Sequence, residues 1–289
     1  MNTQSKHVLV TGASGFVGTH LVRALRGAGY TVFTHSTRDG DISNCSLSFE
    51  DVGHVFHLAA RTFVPESWSA PMGFYQVNLL GTVNILDFCR ANRASLTLMS
   101  SYVYGCPARL PITEEAPLQA HNPYSHTKIL AEETSRYYQD QFGIPVTIIR
   151  PFNIYGPEQD RRFLIPTILR QAIDPDLAAI VVADLRPRRD YLFITDLTDL
   201  LIRTTFRREG GTFNAGSSSS WGVDEVVAMV NQLLPVPKLV QMKGQVRVEE
   251  VFNVVADISR ARQEFGWEPR VSLRDGLRET LDWIRRDRE

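Results

Sequence analysis

The chain has 289 residues, enough for one large domain or two of about 150. Hydrophobic residues make up 43% and charged residues 22%, which excludes a disordered chain, a collagen and a coiled coil. The 31 Lys+Arg and 32 Asp+Glu give a formal charge of -1, so no overall field draws the chain onto nucleic acid or an anionic membrane, and a bound anion needs a local site. Cys45, Cys89 and Cys106 are odd in number and widely spread, which argues against a disulfide scaffold or a metal cluster and for a reducing compartment. Met1 to His7 is polar, and no run approaches the ~20 apolar residues of a membrane span. The expectation is a soluble, cytoplasmic chain without nucleic-acid or membrane partners.

In chain order, His7 to Val10 reads as a strand and Val17 to Ala28 as a helix, with Gly29 as its stop. Tyr30 to Thr34 is a second strand, and a third lies within Val52 to Ala60. Tyr75 to Ala91 has a helical pattern, Leu96 to Met99 is a strand, Tyr124 to Gln141 a helix, and Val146 to Arg150 a further extended segment. This alternation predicts βαβ units around a parallel sheet covered on both faces. The expected class is therefore α/β, a Rossmann-type doubly wound sheet.

The texture changes after Arg150. Residues 1–150 read as a dinucleotide-binding domain, with Tyr191 to Arg203 returning to it, and 151–289 as a smaller substrate-binding part. Phe213 to Gly216, followed by four serines, reads as a turn or loop. Val223 to Leu234 and Leu273 to Arg285 read as helices.

Thr11-Gly12-Ala13-Ser14-Gly15-Phe16-Val17-Gly18 joins the first strand to the first helix. Gly12 permits a tight turn, Gly15 lets backbone N–H groups approach a pyrophosphate, and Gly18 lets helix and strand pack closely. The helix N-terminus adds partial positive charge toward phosphates. No acid stands at the end of the second strand, whereas Ser36 and Arg38 are placed to hold a 2′-phosphate, so the segment leans toward NADP over NAD.

Tyr124 and Lys128 are four apart, on one face of a helix. A free phenol has a pKa near 10, and a neighbouring ammonium lowers it toward the range where it can exchange a proton at neutral pH. Ser100 stands at the end of the Leu96 to Met99 strand, at the carboxyl edge where open α/β sheets bind ligands.

The T-G-x-x-G-x-x-G spacing resembles the extended short-chain dehydrogenase/reductases. So do Ser100 to Gly105 (similar to S-S-x-x-V-Y-G), His57-Leu58-Ala59-Ala60, Val64 to Pro71, Asn78 to Asn84, Arg150 to Pro157, Arg189 to Leu197, Phe213 to Gly216 and Ala256 to Pro269. In this order they resemble the NAD(P)-dependent nucleotide-sugar epimerase, dehydratase and reductase group. The resemblance implies Ser100, Tyr124 and Lys128 as catalytic residues. It implies cofactor contacts from Gly12, Ser14, Gly15, Phe16, Val17, Gly18, Ser36, Arg38, Asp41, Ile42, Leu58, Ala59, Ala60, Asn78, Tyr124, Lys128 and Pro151. It places Ser101, Asn153, Arg189, Arg247 and Glu250 on a nucleotide-diphospho-sugar, the arginines on phosphate.

Dehydratases of this group carry an Asp-Glu pair after the catalytic hydroxyl; here Ser101 and Tyr102 stand there. The resemblance then leaves epimerase or reductase chemistry at a sugar carbon, C4 in this reading, with a GDP-4-keto-6-deoxymannose reductase-like NADPH enzyme as the alternative. A non-catalytic dinucleotide sensor is disfavoured because Ser, Tyr and Lys are all present. Cys106 and His126 flank the motifs, but read better as a packing residue and a helix-surface residue than as acid and base. The resemblance also implies a homodimer, built on the helices 75–91 and 124–141, with Phe88 and Tyr137 as interface candidates.

Overall fold

The computed structural model describes residues 6–244 and 251–287. Its first half runs β1 (His7–Thr11), α1 (Phe16–Gly27), β2 (Thr31–His35), β3 (His54–His57), α2 (Val64–Ser69), α3 (Pro71–Phe74), α4 (Gly81–Asn92), β4 (Ser95–Met99), α5 (Pro123–Phe142) and β5 (Val146–Pro151). The second half adds β6 (Asn153–Tyr155), α6 (Leu164–Ala172), β7 (Ala179–Val182), β8 (Arg188–Arg189), β9 (Tyr191–Phe193), α7 (Ile194–Arg203), β10 (Gly211–Ala215), β11 (Trp221–Gly222), α8 (Val223–Gln232), β12 (Leu239–Met242), α9 (Ser259–Phe265) and α10 (Leu273–Arg286).

The central sheet has six parallel strands in the order β10-β5-β4-β3-β1-β2. Successive side chains enter opposite layers, and both layers are apolar. Val8, Val10 and Phe56 join one cluster, which α1 and α7 cover with Leu21, Leu25, Leu197 and Leu201. Leu9, Val55, Leu96 and Leu98 join the other, closed by Ile85 and Leu86 of α4 and Ala131 of α5. The Rossmann-type expectation is borne out. The first cluster runs on into the second half through Ile168, Val226, Trp267 and Leu281.

Two elements differ from the sequence reading. Residues 213–216 do not form a turn: Phe213, Asn214 and Ala215 belong to β10, paired with Ile149, Arg150 and Pro151. A five-residue strand flanked by glycine and serine carries too little apolar run to register as one. The helix expected from Tyr75 opens as a π-helical stretch, Tyr75–Leu80, before α4 begins at Gly81.

β3 also carries a pH liability. His54 is held between the hydroxyls of Ser95 (2.7 Å) and Thr97 (3.0 Å). His57 is held between those of Thr11 (2.8 Å) and Thr82 (3.2 Å). Burial pushes both imidazoles down to about 3. Below about pH 6.5 the unfolded chain takes up protons that the folded chain refuses, so stability falls with pH until about 3. The slope is roughly 1.4 kcal/mol per pH unit for each histidine. Tm should therefore drop steeply between neutrality and about pH 5, and His54→Gln should flatten the drop. A pH-independent Tm in the wild type contradicts this.

Candidate active site

The ends of β1, β2 and β3 meet around the glycine loop. Ala13 N–H donates to the His35 carbonyl (3.2 Å), Leu58 N–H to that of Thr11 (3.3 Å), and Ala59 N–H to Thr11 Oγ1 (3.3 Å). Gly12 has φ +67°, and a Cβ there would lie 2.7 Å from Ala59 N. A Cβ on Gly18 would lie 2.2 Å from the Gly12 carbonyl oxygen. The first turn of α1 has neither a side-chain cap nor an acid, so its N–H groups face the loop's opening unopposed. This cradle suits a pyrophosphate. Gly18→Ala should displace the loop and weaken dinucleotide binding by at least about tenfold, as measured by fluorescence titration; unchanged affinity would refute the cradle.

Around the cradle, Ser14 and Gly15 are exposed, Phe16, Val17, Leu58, Ala59 and Ala60 half-buried, and Ile42 buried. Asp41 caps Ser43, accepting from its N–H (2.9 Å) and hydroxyl (2.8 Å). Pro151 closes β5 as a buried residue. Asn78 is hydrogen-bonded within the chain. Its Oδ1 accepts from Arg61 N–H (2.8 Å), while its Nδ2 donates to the Arg61 carbonyl (3.1 Å) and to Thr127 Oγ1 (3.0 Å). It is a strut between the segment after β3 and α5.

The start of α5 fixes the second group. Asn122 accepts from Ser125 N–H (2.8 Å) in a capping box, and Pro123 follows it directly. That sets Tyr124 in the first turn and Lys128 one turn on. Lys128 is 5% exposed, and its Nζ donates to the Met99 carbonyl at the end of β4 (2.5 Å). Burial lowers its pKa to about 8, against the pull of the Glu132 carboxylate. Tyr124 differs from the sequence expectation, because burial pushes its phenol up from the ordinary value. The opposing influence comes from the Ser101 hydroxyl rather than from Lys128, whose ammonium faces a carbonyl.

Ser100 also departs from expectation. Its hydroxyl turns away and donates to Glu132 Oε1 (2.5 Å). Ser101, buried and without a full hydrogen bond among the described residues, lies beside the Tyr124 phenol. The chain's stretch is S-S-Y-V-Y-G, one residue shorter than the S-S-x-x-V-Y-G it resembles. Counting back from Val103 selects Ser100, whereas counting on from β4 selects Ser101, and alternate residues along an extended chain point to opposite sides.

Sequence reasoning missed the buried network behind this edge. Arg150 grips Glu132 through Nε to Oε1 (2.9 Å) and Nη2 to Oε2 (2.6 Å). Both are almost fully buried, and Arg150 Nη1 also donates to the Tyr104 hydroxyl (3.0 Å). Tyr104 in turn donates to Asn214 Oδ1 of β10 (2.5 Å). The readable signal was Glu132 lying four residues after Lys128, on the same helical face.

On the substrate side, Asn153 Nδ2 donates to the Asp190 carbonyl (3.3 Å). Arg189 Nη1 donates to the carbonyls of Arg188 (2.9 Å) and Val251 (2.5 Å), and its charge reaches the Tyr102 phenol. The buried Asp190 carboxylate accepts from the N–H groups of Ser217 (2.5 Å), Ser218 (3.1 Å) and Ala256 (3.0 Å), fixing the loop after β10. Arg186 is bound to Asp184 and Arg188 to Glu225, at 2.7 and 2.9 Å. Arg247 and Glu250 lie outside the described residues. Cys106 is exposed rather than packed, and the exposed His126 pairs with the Tyr75 hydroxyl (2.8 Å).

Comparison with known proteins places this arrangement. The chain is 32% identical over 99% of both sequences to a GDP-6-deoxy-D-mannose reductase of Pseudomonas aeruginosa. It is 27% identical to a putative UDP-glucose 4-epimerase of Methanocaldococcus jannaschii, over 96% of this chain and 98% of that one. Two solved structures superpose closely. MoeE5 in complex with UDP-glucose and NAD has a TM-score of 0.89 at 27% identity, covering 98% of this chain and 100% of that one. RMD from Pseudomonas aeruginosa complexed with NADPH has a TM-score of 0.88 at 30% identity, covering 97% and 99%. The family pattern described as NAD dependent epimerase/dehydratase matches residues 8–216. With a glycine cradle, a Tyr-x-x-x-Lys helix and a strand-end serine on one sheet edge, the chain belongs to the NAD dependent epimerase/dehydratase family, within the extended short-chain dehydrogenase/reductases.

Proposed function

We propose that this chain moves a hydride at C4 of a nucleotide-diphospho-sugar, with Tyr124 as the proton carrier, Ser101 as its hydroxyl partner and Lys128 as the charge behind them. The observation that carries the reading is the shared edge. The glycine cradle closes the ends of β1 and β3, and Ser101 beside Tyr124 lies just past the neighbouring β4. The bound nicotinamide supplies the hydride acceptor or donor. Tyr124 takes the proton of the sugar hydroxyl, or returns it, while Ser101 holds the same oxygen. Lys128, buried and held on the Met99 carbonyl, does not lower the resting Tyr124 phenol; in this reading its cation, kept behind the strand end, counts only as charge develops there. Arg189 and Asn153, held at the carboxyl side by the Asp190 knot, are our candidates for the diphosphate together with Arg247, and Glu250 is our candidate for the nucleotide ribose. The Asp-Glu pair that dehydratases of this group carry is not there: Ser101, Tyr102 and Val103 follow Ser100.

Two outcomes of this chemistry have support. UDP-glucose 4-epimerase relatives and a neighbour holding UDP-glucose and NAD favour epimerisation with the hydride returned to the sugar. The relative described as a GDP-6-deoxy-D-mannose reductase favours reduction of a 4-keto-6-deoxy sugar nucleotide. The deciding experiment offers UDP-glucose without added reductant, and separately GDP-4-keto-6-deoxymannose with reduced nicotinamide. Mass spectrometry and sugar analysis read the products, and turnover of neither substrate class overturns the reading. We place the enzyme in the reducing cytoplasm on its three free thiols. We also propose a homodimer through the π-helical stretch with α4 and through α5, where Leu80, Tyr137 and Phe142 leave apolar surface exposed while Phe88 is buried within the chain. Sedimentation tests that assembly.

A further inference from the structure

The cofactor's adenosine end meets a device that spacing alone conceals. β2 ends at His35, and the next four residues fold back on themselves: Asp39 N–H donates to the Ser36 carbonyl (2.9 Å). This return brings the Asp39 carboxylate onto the strand end. Its Oδ2 accepts from Ser36 N–H (2.8 Å) and from the Ser36 hydroxyl (2.9 Å). Arg38 N–H also donates to Ser36 Oγ (3.3 Å), so every polar atom that Ser36 offered a ligand is engaged. The bond from Ala13 N–H to the His35 carbonyl ties this corner to the glycine cradle. These hydrogen bonds hold the Asp39 carboxyl below the usual carboxylate range, so it is an anion at neutral pH.

In a doubly wound sheet, the end of the second strand faces the adenosine ribose. A ribose 2′-hydroxyl is a donor and suits an acceptor-only carboxylate. A 2′-phosphate is a near-dianion with only acceptor oxygens, and it would meet a like charge where it needs N–H and O–H groups. The counter-argument is Arg38, which is exposed and makes no ion pair among the described residues. Its guanidinium would have to outweigh both the neighbouring carboxylate and the loss of the Ser36 donors.

We propose that Asp39, folded back onto Ser36, makes this chain select NAD(H) over NADP(H). The inference rests on reading the glycine loop as the dinucleotide site.

The test is fluorescence titration of the full chain with NADH and with NADPH, for the wild type, Asp39→Asn, Asp39→Ser and Arg38→Ala. Wild type should bind NADH at least about tenfold tighter than NADPH. Both Asp39 variants should narrow that ratio severalfold, chiefly by binding NADPH more tightly, because Asn keeps the shape and removes the charge while Ser removes both. Arg38→Ala should leave the wild-type preference in place. Equal or tighter NADPH binding by the wild type, or an unchanged ratio in both Asp39 variants, overturns the proposal and leaves the dinucleotide site standing. Binding of neither cofactor overturns both. Because Asp39 is exposed, circular dichroism should show all variants folded.

Discussion

Replacing Tyr124 by phenylalanine should lower turnover on the order of 10³-fold while the dinucleotide still binds. The substitution keeps the ring that packs edge-on against Phe74 at 6.4 Å and removes only the hydroxyl beside Ser101. The neighbouring serines separate catalysis from support. Ser101→Ala should cost about 10²-fold in kcat with an unchanged Tm. Ser100→Ala should keep most of the turnover and lose about 1 kcal/mol of stability, because its hydroxyl bonds the buried Glu132 instead of facing the cleft. The opposite pattern in the two serine variants would return the role to Ser100, and full turnover in Tyr124→Phe would end the mechanism.

Glu132→Ala should destabilise the fold by about 3–5 kcal/mol, because it strands the Arg150 guanidinium in the interior. Glu132→Gln, which keeps the shape, should be milder in urea unfolding. Its second effect is electrostatic. Glu132 is the anion that holds up the pKa of Lys128, already lowered to about 8 by burial. Arg150 and Arg136 also face this carboxylate, and His57 lies within reach of the Lys128 charge. Removing the negative charge lets Lys128 lose its proton at lower pH, so any alkaline fall in kcat should begin at lower pH than in the wild type. A variant that is merely loosened would lose Tm without moving that limb.

Much of this was legible in the sequence. The βαβ alternation, the glycine loop and the i,i+4 pair of Tyr124 and Lys128 are spacing signals, and each sits in the element expected of it. The enzyme class and the NAD(P) dependence followed from the ordered motifs. What stayed hidden depends on side-chain direction or on distant partners. Whether Ser100 or Ser101 faces the cleft turns on one residue of register, which flips a side chain across the strand. The return of Asp39 onto Ser36 is a turn conformation in a stretch with no apolar period. Glu132 and Arg150 stand 18 residues apart on a helix and a strand, and no local pattern pairs them. β10 is too short to announce itself, and its partner lies about sixty residues earlier.

That last strand has a consequence for synthesis. The N-terminal half emerges from the ribosome with the outer rim of β5 bare, its amide groups unpaired until about sixty further residues have been made. During that interval the nascent chain presents a sticky template to other nascent strands, so chaperone demand should peak before residue 211 leaves the exit tunnel.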